Sequence, residues 1–363
     1  MQVTTGWYKR MGERIWTPWF IKFIHSRGYY NFYTGFSHER ALSVSHRDAG
    51  VNYGKTAGPD SNLLDDNSLD FNLLEMQPMS NLKWYDFCFR QVHPERVVRR
   101  VDELGSVLQS VHKEETVIIV SLYGVSEMVT QNLLCNFEKL NIWNYVFIGT
   151  KSDFLLDLAR RGHPVIIGYE FLRSSITNKI IDFQDSSAEI TEAILAKAYV
   201  LKKCIELGYS SLVMEGNVLF TNGNPYLDFD RTSDFFAGKS SELFFVKSSA
   251  SARKIWVDNF ISYVAAVTKS LSSKKERASF VHVVAELLEQ KGVKVKNVDE
   301  TSFAVDVGLD EKVDQSSLGV GKKVVFWSTE IGTDLVSKRL EELGLWMVDN
   351  DDRSCKAVVC HQS

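Results

Sequence analysis

From about residue 82 onward the hydrophobic positions switch repeatedly between helical and strand spacing. Within residues 94–112, Val97, Val101, Leu104 and Leu108 recur at helical intervals, so the spacing predicts a helix. Residues 116–122 form a short continuous run rich in β-branched side chains, which predicts a strand buried on both faces. Helix is predicted for 125–140, strand for 145–148, helix for 153–161 stopping at Gly162, and strand for 164–167. A long helix over 188–207 closes at Gly208, and the strand 211–214 follows. Further strands are predicted at 235–236, 243–246, 293–295, 324–326 and 346–348, with helices over 252–267 and 276–290. Strand and helix alternate throughout, which implies parallel βαβ units in an open sheet. Residues 82–350 therefore read as one α/β domain, with residues 351–363 as a C-terminal tail.

The first 40 residues differ. They hold six basic residues (Lys9, Arg10, Arg14, Lys22, Arg27, Arg40) against two acidic ones (Glu13, Glu39), and eleven of residues 1–36 are aromatic. Trp7, Trp16, Trp19, Phe20, Tyr29 and Tyr30 stand out as candidate contacts to a partner or a membrane. Each large aromatic gains about 1.5–3 kcal/mol on leaving water, so a free tail would waste this composition. Residues 1–40 read as a basic aromatic arm: an organelle-targeting segment, a tail on a membrane or partner, or an arm folded over its own domain. Residues 41–81 are polar and turn-rich, with Gly50, Gly54, Gly58 and Pro59, and read as an extended connector.

Composition narrows the class. The chain has 363 residues, enough for two domains or one large domain with extensions at roughly 150 residues per domain. Forty-two Lys and Arg against 46 Asp and Glu leave a net charge of −4, which excludes a strongly basic nucleic-acid binder. No window reaches about 18 uninterrupted apolar residues, so no membrane span is encoded. Cys88, Cys135, Cys204, Cys355 and Cys360 form no CxxC pair; their odd number and wide spacing predict reduced thiols rather than a disulfide framework, and no zinc site. No Asn-x-Ser/Thr sequon occurs.

Standard catalytic signatures are missing. The chain has no Gly-x-Gly-x-x-Gly after its first strand, no P-loop, no Gly-x-Ser-x-Gly and no zincin histidine pair. Topology leaves one place open. In an open parallel sheet, ligands collect at the C-terminal strand edges, and the strand 211–214 runs directly into Glu215-Gly216-Asn217.

Several stretches in order resemble a known family. Asn144–Gly149, Leu158–Val165, Leu195–Tyr209, Asn224-Pro225, Ser233-Asp234 and Gly344–Asp349 together are similar to the plant and algal nucleotide-diphospho-sugar transferase domain, the arabinosyl- and xylosyltransferase-like group with a GT-A fold. The resemblance spans residues 116–349. It implies an open, mostly parallel sheet flanked by helices, preceded here by the extended N-terminal arm. It also implies an Asp-x-Asp motif after the fourth strand, holding a divalent metal against the donor diphosphate, because a hard cation wants oxygen ligands.

Where the resemblance places chemistry, this chain departs from it. Glu215-Gly216-Asn217 stands at the Asp-x-Asp position, so one carboxylate becomes a neutral amide. Ser241-Glu242-Leu243 replaces Asn-Thr-Gly, Glu276-Arg277 replaces Asp-Gln, and Trp327-Ser328-Thr329-Glu330 replaces His-Asn-Asn-Trp. Glu215, Gly216, Asn217, Glu276, Arg277 and Trp327 are thus read as a degenerate donor and metal site, with Lys197 as a phosphate contact implied by the resemblance or, on the plainer reading, a solvated helix lysine. Losing a metal ligand and an oriented charge removes the electrostatic stabilisation on which such transfers depend.

The expectation is a non-catalytic glycosyltransferase-like protein, with no confident catalytic residue, no metal and no cofactor. It would serve as an accessory subunit that meets other protein subunits through its arm at a membrane surface, in an organelle, with the mitochondrion favoured. The alternative is an active Golgi-lumen transferase using a UDP-sugar with Mn2+ or Mg2+ at an altered site.

Overall fold

In the computed structural model the described residues are 2–4, 17–31, 40–41, 62–63, 81–86, 88, 90–94, 96–175, 188–222, 233–257, 260–273, 279–308, 315–319, 321–349 and 353–361. The chain divides into two compact units, one of Met1–Gly28 with Tyr85–Ser363 and one of Tyr29–Trp84. In the smaller unit, Arg40–Ala41 pairs in parallel with Asn62–Leu63, and the Tyr30 ring meets Trp84 edge-on with centroids 5.0 Å apart.

Along the larger unit run β1 (Gln2–Thr4), α1 (Thr17–Arg27), β2 (Val97–Val98), α2 (Val101–Val111), β3 (Thr116–Ser121), α3 (Glu127–Lys139), β4 (Tyr145–Gly149), α4 (Asp153–Arg160), β5 (Val165–Ile167) and α5 (Gly168–Ser175). They are followed by α6 (Ala188–Leu207), β6 (Ser210–Glu215), β7 (Val218–Phe220), β8 (Phe235–Gly238), β9 (Leu243–Val246), α7 (Ala250–Val257), α8 (Phe260–Ser273), α9 (Phe280–Gln290), β10 (Lys296–Asn297), β11 (Ala304–Asp306), β12 (Val324–Phe326), α10 (Thr333–Glu342) and β13 (Ala357–Val359). No described helix is long and apolar enough to cross a membrane.

Eight strands form the main sheet in the order β10-β8-β9-β6-β3-β4-β5-β2. The sheet is open and mostly parallel, and helices cover both faces, as the alternating pattern predicts. Its strands are buried on both sides because successive side chains enter different cores. Ile118, Val120, Phe147, Leu212 and Met214 pack with α3, α4 and α10. Val117, Ile119, Val146, Ile148 and Val213 pack with α2, α5, α6 and the helices α7 to α9. A second, three-stranded sheet places β12 between β7, antiparallel to it, and β11, parallel to it.

Five elements differ from the sequence expectation. Residues 94–112 are not one helix: Val97 and Val98, adjacent and β-branched, pair in parallel with Val165 and Ile166. Helix α2 begins only after Arg100, where the Glu103 carboxylate accepts the N–H groups of Arg99 and Arg100 at 2.8 and 3.1 Å. Strand β9 is antiparallel to both neighbours, since the short connection from Gly238 to Leu243 leaves no room for a crossover helix. The Glu300 carboxylate holds that turn by accepting the N–H groups of Ser240 and Ser241 at 3.0 and 2.8 Å, and Glu242 takes a left-handed φ of 54°. The helix expected over 252–267 is instead α7 followed by α8, and the strand near 293–295 lies at Lys296–Asn297. Residues 346–348 form no strand; Val348 makes a single bridge to Cys355.

The reading of reduced thiols is overturned. Cys88 is bonded to Cys360 and Cys135 to Cys355, while Cys204 is a buried free thiol. The partners are 272 and 220 residues apart, and only the return of the C-terminal segment to α3 brings them together.

Candidate functional site

Strand β6 lies at the centre of the sheet and ends at Glu215, in register with Ser121 at the end of β3. The chain then turns sharply at Gly216, whose N–H donates to the Ser121 carbonyl at 2.8 Å. A Cβ at Gly216 would lie 3.1 Å from the side chains of Leu122 and Val125, so the turn favours glycine. Glu215-Gly216-Asn217 therefore sits at the C-terminal edge of the parallel strands, where the topology predicts a site.

The two polar side chains of this turn face opposite ways. Glu215 lies on the face covered by α6, from which Lys197 reaches down and places its ammonium on Oε1 of Glu215. Lys197 is only 3% exposed, and its Nζ also stands 5.4 Å from the centroid of the Phe280 ring. The plainer reading of Lys197 as a solvated helix lysine is thus replaced by a buried ion pair. Asn217 turns toward β12. Its Nδ2 donates to the Trp327 carbonyl, and the Trp327 N–H donates to the Asn217 carbonyl at 3.3 Å. Asn217 Oδ1 is buried with no hydrogen-bond partner among the described residues. Trp327 is 3% exposed and packs into the core rather than lining an opening. Glu276 and Arg277 lie outside the described residues, as do Trp7 and Trp16. Of the remaining arm residues, Trp19, Phe20 and Tyr29 are exposed and Tyr30 is half-buried.

Two further residues belong to this edge. The Tyr123 hydroxyl donates to Oε1 of Glu192 on α6 at 2.6 Å. Burial pushes the Glu192 carboxyl above its ordinary range, partly offset by the Tyr123 hydrogen bond, and burial beside Glu192 raises the Tyr123 phenol as well. Gly168, at the start of α5, permits this contact: a Cβ there would fall 1.9 Å from the Tyr123 hydroxyl. The Ser121 side chain, fully buried, has no hydrogen-bond partner among the described residues. Tyr123 and Glu192 went unread in the sequence. The one available signal was a carboxylate embedded in the apolar face of α6 beside Ala193 and Ile194.

A divalent cation needs several oxygen ligands and surplus negative charge. Here Glu215 supplies one carboxylate whose charge the Lys197 ammonium already balances, and Asn217 supplies at most a neutral carbonyl turned to the other face. This donor pair does not fit such an ion. Among the described residues, no group of three or more His, Cys, Asp or Glu side chains is gathered in a metal-binding arrangement.

No family model and no curated protein sequence matches the chain. Among solved structures it is similar to the galactosyltransferase LgtC in complex with donor and acceptor sugar analogs, at 10% identity over 65% of this chain and 98% of that one, with a TM-score of 0.37. It is similar also to the apo bifunctional glycosyltransferase WbbM, at 9% identity, 60% and 46% coverage and a TM-score of 0.34. The PaToxG glycosyltransferase gives 12% identity, 52% and 75% coverage and a TM-score of 0.27.

Proposed function

We propose that this chain is a glycosyltransferase-like protein that has lost sugar transfer and acts as an accessory subunit of a larger assembly. The observation carrying this reading is the ion pair between Lys197 and Glu215, which occupies the sheet edge with protein charge where a metal and a diphosphate would otherwise meet. Asn217 supports it, because its side chain ties the turn to Trp327. The exposed aromatics Trp19, Phe20 and Tyr29 are the proposed contacts to partner subunits or a membrane surface, since aromatic and arginine side chains dominate interface energetics.

The two disulfides bear on compartment. Such bonds persist where the surroundings are oxidising, and this supports the Golgi lumen, the alternative to the mitochondrion, as the compartment.

Calorimetry of the full chain with UDP-sugars and Mn2+ tests the reading. The expected result is no saturable heat at millimolar ligand. Micromolar binding that requires Mn2+ and disappears in Glu215→Ala would overturn it in favour of a working transferase.

A further inference from the structure

The N- and C-terminal segments meet over one face of α3, and two disulfides of unequal accessibility hold the arrangement. Gln131, Cys135 and Glu138 stand on that face at helical intervals. Cys135 is bonded to Cys355, and the Gln131 amide lies 3.9 and 3.8 Å from the two sulfurs. Glu138 Oε1 accepts the Val359 N–H at 2.7 Å, and its backbone carbonyl lies 3.1 Å from Nε2 of His361. The C-terminal segment is thus seated on α3.

The N-terminal segment is seated on the C-terminal one. Strand β1 pairs antiparallel with β13, Gln2 opposite Val359 and Thr4 opposite Ala357. Helix α1 adds an ion pair from Lys22 to Asp349 at 3.0 Å and a contact from His25 to Glu138 at 3.2 Å. Its C-terminal end is fixed separately, where Arg160 donates to the carbonyls of Arg27 and Gly28 at 2.7 and 2.6 Å.

Cys135 and Cys355 are both only 4% exposed, whereas Cys88 and Cys360 are half-buried. Cys88 stands in a turn in which Asp86 Oδ1 accepts the N–H groups of Cys88 and Arg90 at 2.8 and 2.9 Å. Cys360 directly follows β13. We propose that Cys88–Cys360 is a redox-labile clasp governing release of the N-terminal segment, and that Cys135–Cys355 is a permanent staple. An external dithiol is the reductant. Its thiolate attacks one sulfur of the clasp, the other leaves as a thiolate and takes up a proton, and the donor's second thiol then displaces the mixed disulfide. The clasp gains two electrons and two protons, and the donor becomes a disulfide. Attack requires the thiolate to reach a sulfur, so the buried pair is protected. Opening the clasp frees the end of β13 and weakens its pairing with β1. The Arg160 contacts then act as a hinge for α1.

The test is stepwise reduction of the native oxidised chain by dithiothreitol at neutral pH, read by thiol alkylation and by amide hydrogen exchange. Cys88 and Cys360 should become alkylated at a reductant concentration at least tenfold below that needed for Cys135 and Cys355. Exchange in peptides covering residues 2–4 and 357–359 should then rise at least tenfold while residues 116–121 are unchanged. A Cys88→Ser/Cys360→Ser variant should exchange like the reduced protein and ignore the reductant. Simultaneous reduction of both pairs, prior reduction of Cys135–Cys355, or a clasp that opens without faster exchange at residues 2–4 would each overturn the proposal. Should the double variant fail to fold, the native chain still decides.

Discussion

The Tyr145 hydroxyl and Nδ1 of His163 share a hydrogen bond of 2.8 Å at the start of β4, with the Phe147 ring edge-on to the imidazole at 6.3 Å. Burial, reinforced by Arg161, Arg90 and His25 and opposed by Glu138, pulls the His163 pKa down to about 4. The ring is therefore neutral when folded. Between pH 6.5 and 4 the unfolded chain binds a proton at this residue that the folded chain does not, so stability falls as pH drops through that window. The shift corresponds to about 3 kcal/mol. Urea unfolding across pH 4–7 should show this slope, and His163→Asn, which keeps an acceptor near Nδ1 but cannot titrate, should flatten it. An equal slope in the variant would assign the acid sensitivity elsewhere. Glu138 is one such group: despite the opposing cost of burial, His25 and the Val359 N–H hold its pKa below the ordinary value, so its contribution is lost at lower pH, as the carboxyl protonates in the folded state.

Gly168 admits the Tyr123–Glu192 hydrogen bond by having no Cβ. Gly168→Ala should cost about 1–3 kcal/mol through overpacking against the Tyr123 hydroxyl. Removing that hydroxyl takes away the nearest atom and leaves Glu192 Oε1 at 2.6 Å and the Tyr123 ring carbon at 3.2 Å from the new Cβ, a smaller conflict. Thermal unfolding of Gly168→Ala, Tyr123→Phe and the double variant should therefore show the double costing less than the sum of the singles. Strict additivity would mean that the backbone moves instead of the phenol.

The central strands were legible because an uninterrupted β-branched run such as Val117–Val120 has no other stable place than between two cores. The position of Glu215 at the sheet edge followed from the same order of elements. What could not be read depends on contacts closed over long separations. Val97 satisfies a helical spacing, yet Val165 and Ile166 recruit its neighbourhood into the sheet. Cys135 meets Cys355 only after the rest of the domain has folded between them. Lys197 and Glu215 were both singled out, but their union requires α6 to lie across the end of β6, which no local pattern specifies.

Because Lys197 is buried and Glu215 half-buried where they neutralise each other, removing one should hurt more than removing both. Lys197→Met strands the carboxylate, and a loss of about 3 kcal/mol is expected. Lys197→Met/Glu215→Leu leaves no charge behind and should recover most of that loss. Chemical denaturation of the three proteins measures both steps. A cost for Lys197→Met no larger than that of an exposed lysine would show that the carboxylate finds water in the native state.

Two asparagines on α3 look alike in sequence and should behave differently. Asn132 is fully buried and bonds twice to the segment after α10: its Nδ2 donates to the Leu345 carbonyl at 3.2 Å, and its Oδ1 accepts the Met347 N–H at 2.6 Å. That segment forms no ladder there, so Asn132 takes the place of a neighbouring strand for its backbone. Asn136, one turn on, bonds once, its Nδ2 donating to the Phe220 carbonyl at 3.0 Å. Asn132→Ala leaves a buried N–H and a buried C=O without their partner, and should cost about 2–4 kcal/mol. Asn136→Ala strands one carbonyl and removes an amide oxygen with no hydrogen-bond partner among the described residues, so about half that cost is expected. Unfolding free energies of the two variants compare them directly, and a cost for Asn136→Ala at or above that of Asn132→Ala would show that the Leu345 carbonyl and the Met347 N–H find other partners.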